Sequence, residues 1–114
     1  EKLISEMYRV LKSKKGVMSH NINYKDHLEN SLNNLRFPRN IWESEFFANS
    51  GFYTNRVPAV EMHKHFKKCG FELFNERFGR WPSMPISRKL ITREFRRFSD
   101  SQLMNITSSF LAIK

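Results

Sequence analysis

The sequence predicts an α/β fold in which three strands are set among about five helices, and three observations carry that expectation. The chain opens on an amphipathic stretch that meets a Lys-rich turn and then the β-compatible run Val17–Asn23. A second amphipathic stretch, residues 58–69, stops at Gly70 and passes directly into an alternating run, 71–78. A capping pattern at Ser99 then precedes a closing apolar run, 108–113. Helix, tight turn and strand in that order form the second half of an α/β crossover.

In residues 1–12, Leu3, Ile4, Met7, Val10 and Leu11 share one face at helical spacing, and Arg9 and Lys12 suit the negative end of a helix dipole. Ser13-Lys14-Lys15-Gly16 reads as the turn. Residues 26–37 repeat the helical pattern through Leu28, Leu32 and Leu35, with Asp26 as N-cap or first-turn acid and Pro38 as the stop. Ile41, Trp42, Glu45, Phe46 and Asn49 trace another helical face, ended by Asn49-Ser50-Gly51. Residues 52–57 have no period and read as a loop.

Pro58 suits the first turn of a helix whose apolar stripe is Ala59, Met62, Phe66 and Cys69. In the strand that follows, Phe71, Leu73 and Asn75 alternate. Residues 81–85 form a Pro-bounded loop, and the basic run 87–97 fits either a helix or irregular structure. Ser99 with Gln102 is a capping box ahead of a short helix.

Composition narrows the function. The chain has 114 residues, which allows one domain or part of one. Eleven Phe, three Tyr and two Trp argue against disorder. A formal charge of +9 keeps nucleic acid or an acidic substrate in play without bearing on fold. Cys69 is the single cysteine, so neither an internal disulfide nor a Cys-rich zinc site is available. No apolar run approaches the roughly 18 residues of a membrane span, and Lys2, Glu6 and Arg9 interrupt any secretory leader. The expectation is a cytoplasmic protein that binds no membrane. Its opening, Glu1-Lys2-Leu3-Ile4 without a capping signal, reads as cut from something longer.

The run Glu6-Met7-Tyr8-Arg9-Val10-Leu11-Lys12-Ser13-Lys14-Lys15-Gly16-Val17 resembles the helix–turn–strand before the fifth strand of class I S-adenosylmethionine-dependent methyltransferases, where Arg-x-Leu-Lys-Pro-Gly-Gly is usual. Here Ser13 stands at the proline position and Lys15 at the first glycine. The helix ending at Cys69 with Gly70-Phe71 is similar to that family's last helix entering its sixth strand, and residues 110–113 fall where its antiparallel seventh strand closes the sheet. The resemblance implies the C-terminal portion of a Rossmann-like sheet, with residues 1–114 as a single partial domain. It implies S-adenosylmethionine in the parent protein, none bound by this chain alone, and a missing N-terminal half as partner. The family's glycine-rich donor loop has no counterpart, because Gly16, Gly51, Gly70 and Gly79 are scattered.

Residues 19–27 are the densest polar cluster near the end of a strand, where open α/β sheets bind ligands. His20 and His27 are the candidate bases for deprotonating a methyl acceptor, with Asn21, Tyr24 and Asp26 as substrate contacts. The competing reading makes Asp26 a helix cap and the histidines ordinary surface groups. Arg56, in the loop before Pro58, is a candidate anion contact.

His63, His65 and Cys69 invite a metal reading, but residues two apart on a helix diverge by about 200° and the ligands are too few. No metal is expected. Arg88, Lys89, Arg93, Arg96 and Arg97, interleaved with Phe95 and Phe98, would suit a nucleic-acid surface with the aromatics stacking bases. Trp42, Phe46, Phe47, Phe52 and Tyr53 would pack as core or line a pocket or subunit contact.

Two functions remain. The first is an acceptor-side methyltransferase fragment that is inactive alone. The second is a small basic module binding nucleic acid or protein without catalysis. A homodimer through an exposed sheet edge is a third role the same chain could fill.

Overall fold

The computed structural model describes residues 1–12 and 15–114; Ser13 and Lys14, half of the expected turn, lie outside the described residues. The elements run α1 (Lys2–Val10), β1 (Val17–Asn23), α2 (Arg39–Trp42), α3 (Glu45–Ala48), α4 (Ala59–Lys68), β2 (Glu72–Arg80), α5 (Asp100–Leu103) and β3 (Asn105–Ile113). Three 3₁₀ turns, Asn33–Arg36, Arg88–Leu90 and Arg93–Phe95, complete the list.

The strands form one sheet in the order β1-β3-β2. β3 is antiparallel to both neighbours, so β1 and β2 run parallel to each other on either side of it. The mixed α/β class expected from the sequence is the class observed. In β1–β3 the register pairs Met18 with Ala112, His20 with Phe110 and Ile22 with Ser108. These residues share one face because strand side chains alternate with period two.

That face carries the main core. Ile4, Phe66, Phe71, Phe110 and Ala112 are buried together, with Met7, Tyr8 and Leu11 of the first helical segment packed around them. α1 and α4 therefore cover the same side of the sheet. On the other side, Val17 and Phe74 are exposed. Gly70 ends the α4 segment at φ 100°, a conformation that costs glycine little, and a Cβ there would meet the Tyr8 ring at 3.0 Å.

A second core holds the irregular half together. Leu32, Leu35, Ile91, Phe95, Phe98 and Leu103 are buried, flanked by Trp81, Met84 and Ile86. The capping box expected at Ser99 is present: its hydroxyl accepts from Gln102 N, and Gln102 Oε1 accepts from Ser99 N.

Two expectations are corrected here. Residues 26–37 do not form an α-helix. Asp26 Oδ1 accepts from the backbone N–H groups of Leu28, Glu29 and Ser31 at 3.0–3.1 Å, and Oδ2 accepts from Asn34 N at 3.2 Å. The segment wraps around a buried carboxylate, and only Asn33–Arg36 coils, as a 3₁₀ turn. The helix expected over residues 41–49 is two single turns, α2 and α3. They are split at Ser44, whose backbone is extended (ψ 156°) and whose hydroxyl donates to Ile41 O at 2.6 Å.

Among the described residues, no helix is long and apolar enough to cross a membrane.

Candidate functional site

The residues expected to act at the end of β1 are dispersed. His20 lies within the strand, its ring between Phe66 (4.8 Å) and Phe110 (5.3 Å), and its Nε2 is buried without a hydrogen-bond partner. Burial holds its pKa below the ordinary imidazole value. Asn21 points to the opposite, exposed face. His27 is exposed, with Nδ1 3.3 Å from Gly51 O. Asp26 is fully buried and committed to backbone amides.

Arg56 is likewise committed. Its Nη1 donates to Phe37 O at 2.6 Å and Asn34 O at 3.3 Å, and its Nη2 lies 3.4 Å from Glu94 Oε1. The guanidinium also sits 5.1 Å from the Phe95 ring centre and 5.6 Å from that of Trp42. Burial pulls its pKa down, opposed by Glu94 and more distant acids. It clamps the loop onto the second core.

Tyr24 leads to a constellation the sequence did not suggest. Its O–H donates to Ser108 Oγ at 2.6 Å, Ser108 O–H to His63 Nε2 at 3.0 Å, and His63 Nδ1–H to Glu76 Oε2 at 2.5 Å. This direction leaves no member of the chain unpaired and assigns His63 the Nδ1–H tautomer. Tyr24, His63 and Ser108 are buried, while Glu76 is partly exposed. Burial raises the Tyr24 pKa, and its bond to Ser108 opposes the shift. Ser108 is completely covered, so the arrangement is a buried relay rather than an accessible nucleophile.

A β-bulge makes the relay. Between the pairs Phe74–Leu111 and Arg77–Ser109, β2 has one residue more than β3, and Asn75 takes up the slack at φ 52°. Asn75 and Glu76 together oppose Phe110, an inward residue, and Glu76 is thereby aimed at His63. Bulges often re-aim a side chain in this way beside functional sites.

The exposed end of the relay borders a cleft of about 400 Å³ between α4 and the last residues of β2. His63, Glu76, Lys64, Lys67, Phe78 and Arg80 contribute to its wall. Lys67 Nζ lies 3.6 Å from Glu76 Oε1, and Arg80 Nε donates to Asn105 Oδ1 at 3.2 Å.

Other sequence candidates resolve more simply. Phe95 and Phe98 are buried in the second core and cannot stack bases. Arg88 donates to Phe98 O and Arg96 O, and Arg96 to Ile91 O, so both brace a loop. Trp42 is fully buried, donating to Thr54 O at 3.0 Å, while Phe46 stays largely exposed. Among the described residues, no group of three or more metal-ligating side chains converges.

Two signals in the sequence could have found the relay. His63 falls between Ala59 and Phe66 on the buried stripe of α4, which marks it as an interior imidazole needing partners. Asn75 inside a strand is the residue type that most readily adopts positive φ outside glycine. Comparison of the chain with protein-family models, curated proteins and solved structures gives no match.

Proposed function

We propose that this chain is the acceptor-side, C-terminal portion of a class I S-adenosylmethionine-dependent methyltransferase domain. The observation that carries the proposal is the path of the chain. A helix, turn and strand bearing the Arg-x-Leu-Lys pattern lead through α4 and Gly70-Phe71 to a parallel strand, and a last strand runs antiparallel between the two. The resemblance assigns that antiparallel direction to a seventh strand.

The residues present do not fit a donor site. A Cβ at Gly16 would meet Leu11, one at Gly70 would meet Tyr8 and one at Gly79 would meet Thr107, so these three glycines serve local packing. Gly51 lies in a loop with open space around it. Among the described residues these glycines build no phosphate-cradling loop, which supports the reading that the chain on its own is inactive. Among the described residues β1 pairs only with β3, and its other edge is where the rest of such a sheet, or a second copy of the chain, would add. His27, exposed beyond the end of β1, is the candidate base an acceptor could reach, whereas His20 Nε2 is covered.

The test is an amide NMR titration with S-adenosylhomocysteine, combined with reading the encoding gene. The expected result is a dispersed spectrum that ignores the ligand, and a strand, glycine-rich loop and helix encoded ahead of Glu1. A gene without that upstream unit would overturn the proposal.

A further inference from the structure

We infer that the cleft between α4 and the end of β2 is a binding site for a small anion that carries an aromatic ring. Lys64 and Lys67 hold the anionic group and Phe78 stacks the ring. The inference does not rest on the methyl-transfer reading.

Position is the first argument. Phe78 and Arg80 form the carboxyl end of β2, which runs parallel to β1, and Asn105 begins β3 at that same end. Ligands of open α/β sheets bind outside the carboxyl ends of the parallel strands. The volume of about 400 Å³ lies within the usual range for small-molecule sites.

Charge selects the ligand. Lys64, Lys67 and Arg80 set three cations against one carboxylate, Glu76, whose Oε2 is taken by His63 and whose Oε1 lies 3.6 Å from Lys67 Nζ, which leaves a net excess of positive charge. Lys64 makes no ion pair among the described residues. A cleft with this excess raises the local concentration of anions.

The apolar wall selects the rest. Phe78 is 40% exposed although it points to the helix-covered side of the sheet, opposite the fully buried Ser108. Its inner neighbour is the His63 ring at 5.1 Å, and the Arg80 guanidinium lies 5.6 Å from its centre. A planar group can stack on this ring with little loss of side-chain freedom, because Glu76 and Ser108 fix His63 and His63 backs Phe78.

Adenosine monophosphate is a suitable probe, with adenosine and inorganic phosphate as its separate halves, titrated into the 114-residue chain at low salt while amide NMR shifts are followed. Millimolar nucleotide is expected to shift the amides of residues 64, 67, 78 and 80, and each half to bind at least about tenfold more weakly. Lys64→Gln with Lys67→Gln removes two exposed charges without touching a core and should weaken binding about tenfold or more. Phe78→Leu keeps an apolar side chain against His63 and should also weaken the nucleotide, while leaving phosphate unchanged. Shifts centred on residues 93–97, phosphate binding as tightly as the nucleotide, an unaffected lysine double variant, or no shift at about 10 mM ligand would each overturn the inference.

Discussion

Asn34 donates its backbone N–H to Asp26 Oδ2 at 3.2 Å, closing an eight-residue loop on a carboxylate that has no contact with solvent. Three further amides point at Oδ1. Hydrogen bonds to a charged acceptor contribute about 1.5–3 kcal/mol each, and leaving their donors unpaired adds to the loss. Asp26→Ala should therefore destabilise the chain by about 3 kcal/mol or more, and Asp26→Asn by less, since one oxygen survives. Urea unfolding at neutral pH measures both; an alanine variant with an unchanged midpoint would contradict the role assigned to this carboxylate.

The relay predicts a coupling. Ser108→Ala strands the Tyr24 hydroxyl and His63 Nε2, at a cost of about 1–3 kcal/mol for each buried group left unpaired. Tyr24→Phe removes one of the stranded groups, so the Tyr24→Phe/Ser108→Ala double variant should lose less than the sum of the single losses. A double-mutant cycle reads this directly, and strict additivity would show that the contact carries no energy.

His20 should make the fold acid-sensitive. Its folded pKa lies below the unfolded reference of 6.5, because burial disfavours the charged ring. The unfolded chain then binds more protons between the two values, so stability rises with pH across that window and falls as pH drops through it. His20→Leu fills the same space between Phe66 and Phe110 and removes the unpartnered nitrogen. The variant should be at least as stable at neutral pH and should show a shallower acid-side decline in chemical unfolding below about pH 6.5.

Arg56 separates two contributions. The ion pair with Glu94, a side chain 38% exposed, is worth under about 1 kcal/mol in solvent. The bonds to two carbonyls and the stacking between rings need the planar guanidinium. Glu94→Gln should change stability little, whereas Arg56→Lys should cost about 1–3 kcal/mol and perturb the near-ultraviolet signal of Trp42. Equal effects would assign the clamp to the charge pair instead.

Where a capping box, a first-turn proline or a closing glycine bounds the apolar pattern, the sequence is a good guide. The Ser99 capping box, Pro58 with Gly70 around α4, and the bounds of β1 all fall where expected. The pattern misled over 26–37 although Asp26 and Pro38 bound it, and Leu32 and Leu35 are core residues of a segment that coils only over Asn33–Arg36. An aspartate that gathers four amides competes with the helix ladder, and only tertiary burial decides the contest. The candidate site was less legible. Its members come from 24, 63, 76 and 108, residues brought together only by strand register and a bulge. The same distance in sequence concealed the internal work of Arg56, Arg88 and Arg96, whose partners are backbone carbonyls.

The extra residue at Asn75 also sets a parity. With the pair Phe74–Leu111 fixed, pairing the same residues without the bulge would move every later β2 residue one place further along β3. Phe78 would then oppose Thr107 and turn to the bare side of the sheet, and Arg77 would take the inward place opposite Ser108. Glu76 would leave His63 and the cleft would lose its ring in the same step. Deleting Asn75, by contrast, would set Glu76 alone opposite Phe110 and leave Phe78 opposite Ser108, so the cleft depends on the parity the bulge sets rather than on the residue that makes it.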